Sequence, residues 1–526
     1  MIWKLRIFFG IFIVSRLAFA QPAQTVVTFD FVQKKAQERS AKPFHSPKAD
    51  LPDVLRGDKL NYDSYREIEF RHDKALWLKE ELPFRLEFFH PGYLYQDPLK
   101  VNEFSSTHVQ PIRFVQDFFD YRKLDFKKTI PADTGYAGFK LLYRLNDPNR
   151  WDELGSFLGA SYFRLLGKGS RYGQSARGLA LNTGETDRQE EFPLFTDWWL
   201  GKPEKQSDTL LLYAILDSVS CSGAYEFLIR PGETTIADVR AVIFLRSGNL
   251  VQAGSTNRES LKTIGMAPLT SMFWFGENSE RKPDDYRSEV HDSDGLLMRL
   301  ENDALLWRPL CNPTSIQHQI FPATNIHGFG LLQRDRAFAN YQDTFNSYQR
   351  TPSVWIEPRG KWGEGEVHLV ELPTHFEGLD NVVSFWNPKV PPQPQQAFAF
   401  AYTLHWGMQP DGNFSTNRVL QTRIGADPRD ASKRQFVIDF TANESGPPAS
   451  TPPQAMVHCG DNAVISDTQV FRNGISESWR VVFSLKPKAE NKDSVDIQCA
   501  VKRGTETLSE TWIYHWNPPS TQLKSE

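Results

Sequence analysis

Cysteine is scarce in this chain of 526 residues. Its four cysteines, Cys221, Cys311, Cys459 and Cys499, form no CxxC pair and no Cys/His spacing of the kind that binds zinc. The sequence therefore predicts no metal site and no cofactor. For Cys459 and Cys499, a disulfide and a pair of buried free thiols remain equal alternatives.

Long apolar runs are also missing after the first twenty residues. Residues 1–20 contain Lys4 and Arg6, then an apolar run at 7–14, then Ala18-Phe19-Ala20. This order is typical of a cleavable secretory signal, and the apolar run is too short to span a bilayer. The sequence predicts no integral membrane segment after signal cleavage.

An excess of positive charge is absent as well. Asp and Glu number 64 against 60 Lys and Arg, which gives a formal net charge of −4. Because nucleic-acid binding needs clustered Lys and Arg, this balance argues against a nucleic-acid partner.

Helical periodicity is rare, and its best candidates are 115–121 and 151–158. Alternation with a period of two recurs instead, as in Phe84, Leu86 and Phe88, and again in 479–485. Such alternation is typical of strands with one buried face, and many of them between turn residues favour sandwiches. The sequence predicts an all-β fold.

A proline-rich segment divides the chain. Four prolines fall within 387–396, a density that a sheet interior does not tolerate. Alternation then resumes at Phe398, and the rest of the chain has the size of an immunoglobulin-like sandwich. We predict a signal at 1–20, a β-sandwich at 21–388, a linker at 389–396 and an immunoglobulin-like β-sandwich at 397–526.

Two acidic segments stand out among aromatic and turn-forming residues. The first is His291-Asp292-Ser293-Asp294-Gly295, and the second is Glu377-Gly378-Leu379-Asp380-Asn381. Two carboxyl groups, one acting as acid and one as base, are the basic equipment for cutting a glycosidic bond. Each segment is also a common type of turn, and the residues alone leave both interpretations open.

Several strings along the chain resemble the periplasmic glucan biosynthesis proteins G and D, the family tied to osmoregulated periplasmic glucans. They occur in order over nearly the whole chain after residue 20. The strings are GASYFR at 159–164, YG at 172–173, SARGLA at 175–180, APLTSMF at 267–273, HDSDG at 291–295, WRPL at 307–310, GFGLLQR at 328–334 and SETW at 509–512.

The resemblance implies a fold and an activity. It implies an N-terminal sandwich of the galactose mutarotase-like kind followed by an immunoglobulin-like domain. It also implies an inverting endo-β-1,2-glucanase without metal, in the periplasm. Asp at position 294 resembles the D branch of the family. The G branch tends to carry Asn at this position.

The resemblance also assigns catalytic roles. Asp380 matches the general acid, and Asp292 matches a base that acts through a chain of waters. Tyr348 matches a residue that holds a hydroxyl group in the proton path. Asp294 is an alternative base, and His291 is expected to orient Asp292.

Sugar binding is expected from planar polar and aromatic side chains. Glu377 is also expected to raise the pKa of Asp380 by repulsion. For each aromatic residue of this group, core packing is the competing interpretation. The predicted substrate-binding residues are Glu377, His291, Asp294, Tyr162, Arg164, Trp307, Arg308, Phe329 and Arg334.

Two rival functions remain open. One is a non-catalytic factor that binds the glucan and assists its membrane synthase. The other is a mutarotase-like or lyase activity on the same scaffold. The partners expected in each case are a β-1,2-linked glucan, the membrane glucan synthase and a second copy of the chain in a homodimer.

Overall fold

The structure is a computed structural model that describes residues 26–56, 60–124, 130–248, 250, 261–280, 283–410, 416–443, 451–488 and 493–518. Among these residues, strands account for 48% and helices for 8%. The prediction of an all-β sandwich fold is therefore confirmed. The predicted signal at 1–20 lies outside the described residues.

The strands are numbered in chain order. Those up to the proline-rich segment are β1 (Glu69–Phe70), β2 (Arg85–Phe89), β3 (Lys100–Phe104), β4 (Val109–Ile112), β5 (Phe119–Asp120), β6 (Gly138–Tyr143), β7 (Asp152–Leu158), β8 (Tyr162–Leu165), β9 (Ser175–Arg177), β10 (Leu179–Leu181), β11 (Leu194–Gly201), β12 (Leu210–Asp217), β13 (Cys221–Arg230), β14 (Thr235–Leu245), β15 (Ile264–Ser271), β16 (Phe273–Phe275), β17 (Val290–His291), β18 (Gly295–Arg299), β19 (Leu305–Pro309), β20 (Gln317–Thr324), β21 (Gly328–Leu332), β22 (Ser353–Pro358), β23 (Glu364–Glu371) and β24 (Val382–Pro388). Those after it are β25 (Ala397–Gly407), β26 (Val419–Asp427), β27 (Asp430–Thr441), β28 (Gln454–Cys459), β29 (Ala463–Asn473), β30 (Ser478–Pro487), β31 (Val495–Arg503), β32 (Glu506–Thr507) and β33 (Thr511–Trp516).

Two large sheets form the main sandwich. The first has the order β2-β6-β7-β8-β9-β15-β24-β23-β20, with β10 paired to β15. The second has the order β28-β31-β33-β19-β18-β21-β22-β25-β14-β13-β12-β11-β3-β4, with β32 paired to β31. Aromatic rings of the two sheets pack on each other. The ring centroid of Phe157 in the first sheet lies 4.8 Å from that of Trp198 and 5.5 Å from that of Phe227 in the second. Burial of such apolar faces drives the packing of one sheet on the other.

A second sandwich lies at the C-terminal end of the larger sheet. A four-stranded sheet, β26-β27-β30-β29, packs there. Phe436 stacks on Phe483 with ring centroids 5.1 Å apart and meets Trp512 of the larger sheet edge-on at 6.1 Å. The predicted alternation in β30 is confirmed, because Val481, Phe483 and Leu485 are fully buried.

The strand after the proline-rich segment belongs to the larger sheet. β25 pairs with β14 on one side and with β22 on the other. Its alternation is confirmed, since Tyr402, Leu404 and Trp406 are fully buried. The same larger sheet thus contributes to both sandwiches, and the division of the chain at 389–396 stays a prediction.

Helices are short among the described residues. Helix α1 (Phe29–Ser40) is capped at its N-terminus by Thr28, whose hydroxyl accepts a hydrogen bond from the Phe31 N–H. It packs on β13, and Arg39 ties it to Asp197 at 2.7 Å. The remaining helices are α2 (Tyr62–Tyr65), α3 (Phe338–Tyr341) and the 3-10 turns Pro47–Asp50, Asp53–Leu55, His72–Lys74, Gln116–Phe118 and Tyr348–Arg350.

Both predicted helices are wrong. Residues 115–121 form a 3-10 turn followed by β5, and residues 152–158 form β7. The cause in β7 is a bulge: Leu141 pairs with Gly155 while Leu142 pairs with Glu153, so Leu154 is an extra residue. An extra residue changes the spacing of buried positions from two to three, which imitates a helix in the sequence.

The four cysteines are free thiols, with Cys221 and Cys499 buried. Of the two alternatives for Cys459 and Cys499, the structure therefore contains the free thiols. Across the described part of the chain, no helix combines the length and the apolar character that crossing a bilayer requires.

Candidate active site

Two neighbouring backbone groups hold the two acidic segments together. The Asp292 N–H donates to the Met272 carbonyl at 2.8 Å. The Phe273 N–H donates to Oδ1 of Asn381 at 2.9 Å, and Asn381 Nδ2 donates to the Leu372 carbonyl at 2.8 Å. The loop between β23 and β24, which carries Asp380, is thereby fastened beside the segment that carries Asp292.

Asp292 is nearly enclosed, with 8% of its surface exposed. The Thr351 hydroxyl donates to its Oδ1 at 3.3 Å. Burial and, to a smaller extent, the negative charge of Asp380 raise the pKa of Asp292 to about 7, against the lowering effects of Arg164, the Thr351 hydrogen bond and His291. Gly173 leaves room for this carboxyl group, because a Cβ at that position would lie 2.6 Å from Oδ1.

Asp380 is the open member of the pair, with 32% of its side chain exposed. Burial raises its pKa, and the guanidinium groups of Arg164 and Arg177 oppose that rise. Nη2 of Arg164 lies 3.6 Å from its Oδ2. Glu377 was expected to raise the pKa of Asp380 by repulsion, but it is not among the groups that shift this pKa. The carboxyl group of Glu377 is instead paired with Arg287.

The two carboxyl groups lie within electrostatic reach, because the negative charge of Asp380 contributes to the raised pKa of Asp292. An ionised Asp380 beside Arg164 favours the proton on Asp292, which is the more enclosed of the two. In the ligand-free protein the pair is therefore biased towards a neutral Asp292 and an ionised Asp380. An acid role for Asp380 requires the opposite distribution.

Tyr348 lies beside this pair and is buried, with 6% of its surface exposed. Its hydroxyl donates to Glu377 Oε2 at 2.5 Å, and Arg287 Nη1 donates to the same oxygen at 2.7 Å. Burial raises the pKa of Tyr348 strongly, and the hydrogen bond to Glu377 and the charge of Asp292 raise it further. The hydroxyl therefore stays protonated.

Aromatic and basic side chains border Asp380. The guanidinium of Arg177 lies 4.7 Å from the ring centre of Tyr162 and 5.4 Å from that of Phe192. Arg177 is held by Glu190 Oε1 at 2.7 Å, while 47% of Phe192 is exposed. Stacked planar groups with an accessible ring are suited to the faces of sugar rings.

His291 lies in a buried polar network next to the pair. Its Nε2 lies 2.9 Å from Glu289 Oε2, and its Nδ1 lies 3.0 Å from Gln333 Oε1. Burial lowers the pKa of His291, but the charges of Asp294 and Glu289 outweigh this and raise it to about 10. Both ring nitrogens of the resulting imidazolium are donors to these two partners, so His291 makes no hydrogen bond to the Asp292 carboxyl.

Four ligand-type side chains converge at this network. One atom each of Glu289, His291, Asp294 and Asp335 lies within 4.8 Å of the others, a spacing that a metal ion could use. The imidazolium form of His291 has no lone pair for a metal, and Asp294 accepts hydrogen bonds from the backbone N–H groups of Arg334 and Asp335. The geometry as it stands is that of a satisfied hydrogen-bond network.

Two of the predicted sugar-binding residues lie at the junction with the C-terminal strands. The guanidinium of Arg334 stacks on Trp307 at 3.6 Å and forms a two-pronged ion pair with Glu510 at 2.7 and 2.8 Å. Trp307 has 3% of its surface exposed. The structure does not bring these two side chains to the carboxyl pair.

Two further predicted residues are enclosed in the core. Phe329 has no exposed surface. Arg308 is 1% exposed, and its Nη2 lies 2.9 Å from Glu371 Oε2. Of the predicted site residues, Asp292, Asp380, Tyr348, Glu377, Tyr162 and Arg164 are those that converge.

Sequence reasoning missed three residues of the site. Arg177 and Gly173 lie inside the strings that carried the family resemblance, so a signal for them was present. Arg287 lies outside every string, and its importance arises from contacts with Asp343 and Glu377 that are far away in the sequence.

A β-sandwich with a pair of carboxyl groups bordered by basic and aromatic side chains is typical of proteins that bind or act on carbohydrate. A family model described as Periplasmic glucan biosynthesis protein, MdoG, matches residues 27–516. The chain belongs to this family. Membership supports a role in periplasmic glucan biosynthesis and confirms the resemblance seen in the sequence.

Proposed function

We propose that the protein is a periplasmic endo-β-1,2-glucanase that acts with inversion and shapes the backbone of osmoregulated glucans. The observation that carries the proposal is the pair of one enclosed and one open carboxyl group, Asp292 and Asp380, in electrostatic contact beside Arg164. Family membership supports glucan as the substrate class, and the motif matches support the linkage.

In the proposed reaction Asp380 donates its proton to the glycosidic oxygen as the bond to the anomeric carbon breaks. A water molecule attacks that carbon from the opposite face, and its proton passes to the Asp292 carboxylate. Each turnover consumes one water and moves one proton from Asp380 to Asp292, and exchange with solvent resets the pair.

Glucan binding has to reverse the proton distribution of the ligand-free pair. A sugar next to Asp380 displaces water from that carboxyl group and competes for the Arg164 guanidinium, which lies 3.6 Å away. Both changes raise the pKa of Asp380. Substrate binding and creation of the acid are thus coupled.

The test is incubation of the protein without residues 1–20 with linear β-1,2-glucan, followed by product sizing and NMR of the new anomeric ends. We expect shorter, inverted products from the wild type. Asp380→Asn and Asp292→Asn should each lower the rate by about 10²- to 10⁴-fold, the usual contribution of general acid–base catalysis. Asp303→Asn, on an exposed carboxylate bonded to His327, is the matched control.

A second candidate is a non-catalytic factor that binds glucan and assists the membrane synthase. The Arg164–Asp380 contact favours it, because that contact keeps the proposed acid ionised. Folded wild-type protein that binds the glucan and releases no product would establish this candidate and refute the hydrolase.

A further inference from the structure

The hydroxyl group of Tyr348 has a fixed direction in this structure. Its proton points to Glu377 Oε2 at 2.5 Å, and that oxygen also receives Nη1 of Arg287 at 2.7 Å. An ionised carboxylate offers acceptors and no donor, whereas a tyrosine hydroxyl offers one proton and two lone pairs. Once the proton is committed to Glu377, the hydroxyl can act towards every other group as an acceptor alone.

We propose that Arg287 and Glu377 are positioning residues that fix the Tyr348 hydroxyl as an acceptor for a glucan hydroxyl or a water of the site. The inference rests on the proposed hydrolase function. It gives Tyr348 a role in which it holds a hydroxyl group of the substrate in place and keeps its own proton.

Arg287 is built to hold this arrangement. Its side chain is 8% exposed and contacts three carboxylates: Asp285 at 2.8 Å, Asp343 at 2.9 Å and Glu377 at 2.7 Å. Such charge-assisted bonds are stronger than neutral ones and fix the direction of each partner. Because Arg287 and Tyr348 both donate to Glu377 Oε2, this oxygen is an acceptor towards both of them.

The same arginine also fixes the segment that carries Tyr348. Asp343, bound to Arg287, accepts hydrogen bonds from the backbone N–H groups of Phe345 and Asn346 at 2.8 and 2.9 Å. Tyr348 follows in the 3-10 turn Tyr348–Arg350. Arg287 therefore positions both the acceptor of the Tyr348 proton and the backbone next to the ring.

The arrangement has a consequence for the path of the proton. Because the Tyr348 proton is held by Glu377, the proton of the attacking water has to end on Asp292 without passing through the Tyr348 oxygen. Tyr348 accepts a hydrogen bond from the hydroxyl or water that leads to Asp292, and no bond to its own hydrogen breaks.

The decisive variant is Glu377→Met, because in Glu377→Gln the amide oxygen could take the place of Oε2 and still accept from both Tyr348 and Arg287. Methionine offers no such acceptor at this position. The proton of the Tyr348 hydroxyl is then free to turn into the site, and the hydroxyl is no longer fixed as an acceptor. We expect kcat to fall by about 10- to 100-fold, the cost of one hydrogen bond to a charged group, with KM changed by less than about 3-fold.

Two further variants separate this effect from misfolding. Glu377→Asp keeps an acceptor-only carboxylate and should recover part of kcat. Glu226→Met makes the same chemical change in an ion pair between Glu226 of β13 and Arg240 of β14 and should leave kcat unchanged. A wild-type kcat in Glu377→Met overturns the proposal.

A readout that does not need turnover is the tyrosine Cζ signal in ¹³C NMR, assigned to Tyr348 by its absence in Tyr348→Phe. At neutral pH the chemical shift of this carbon depends on the hydrogen bond that the hydroxyl donates to Glu377, so it should differ between Glu377→Met and the wild type and return towards the wild-type value in Glu377→Asp. An unchanged chemical shift in Glu377→Met overturns the positioning role. If the wild type releases no product from glucan, the hydrolase proposal fails by itself, and this chemical shift alone decides the positioning role.

Discussion

Two arginine–carboxylate pairs, each with an arginine from one of the recognised strings, differ in how they are enclosed. Arg308 and Glu371 lie 2.9 Å apart with side chains 1% and 0% exposed. Arg164 and Asp380 lie 3.6 Å apart with side chains 40% and 32% exposed. The enclosed pair has no face for a ligand, whereas the open pair can exchange its partner for one. In this fold, solvent exposure therefore distinguishes an arginine that stabilises the core from one that can contact a ligand.

The largest expected effect breaks the enclosed pair. Arg308→Ala leaves the Glu371 carboxylate buried without its cation, which should lower the free energy of unfolding by about 3–5 kcal/mol. Arg164→Ala removes the arginine of an exposed pair and should cost less than about 1 kcal/mol. Urea denaturation of both variants measures the difference.

A double variant guards against a trivial loss of folding in Arg308→Ala. Arg308→Met with Glu371→Gln removes both charges and keeps an oxygen for the Cys311 N–H, which donates to Glu371 at 2.7 Å. We expect it to be more stable than Arg308→Ala alone. Equal losses in Arg308→Ala and Arg164→Ala would contradict the comparison.

The next largest effect is a pH dependence of the free energy of unfolding, which arises from Asp292 beside the open Arg164–Asp380 pair. The pKa of Asp292 is about 7 in the folded protein, against about 4 in an unfolded chain. The folded state therefore binds this proton more tightly. The resulting stabilisation is fully present below about pH 4 and is lost as the pH rises through about 7.

Asp292→Asn has no such proton to bind. The stability of the wild type relative to this variant should fall by a few kcal/mol between pH 4 and pH 8, a shift of one pKa unit being worth about 1.4 kcal/mol. Denaturation at several pH values measures it. Parallel curves for the two proteins would mean that Asp292 titrates as an ordinary carboxyl group.

The sequence predicted the fold well where strands are regular and poorly where they are not. The alternation in β30 and β25 survives because every second side chain enters a core. The alternation in β7 does not, because the bulge at Leu154 shifts the buried face by one position. A bulge depends on the neighbouring strand, so the residues of β7 alone do not reveal it.

The site residues also divide into those that a local sequence pattern predicts correctly and those that it does not. Asp292 and Asp380 were predicted as the acid and base pair because their segments match a family pattern, and the structure brings the two side chains into electrostatic contact. Arg164, Arg308 and Arg334 lie in equally good strings, yet Arg308 and Arg334 are bound to Glu371 and Glu510. Whether an arginine is enclosed depends on partners far away in the chain, and a local pattern does not contain that information.

The smallest expected effect comes from Gly173→Ala, which tests how closely Asp292 is packed beside the open Arg164–Asp380 pair. Gly173 lies against Asp292, and a Cβ there would overlap the Thr351 methyl group and approach Asp292 Oδ1 to 2.6 Å. Gly173→Ala should therefore push the carboxyl group from its place. Overpacking of this kind costs about 1–3 kcal/mol of stability.

The position of Gly173 predicts a specific pattern in the same variant. The Thr351–Asp292 hydrogen bond, which lowers the pKa of Asp292, should be weakened, so that pKa should rise. Under the proposed mechanism glucan binding reverses the proton distribution, so the alkaline shift appears in the rising limb of the pH profile of kcat, which reports the base in the complex. Gly248→Ala, at a glycine whose added Cβ would meet nothing within 4 Å, is the matched control. A stability loss in Gly173→Ala without any shift in that limb would mean that Asp292 is not the base.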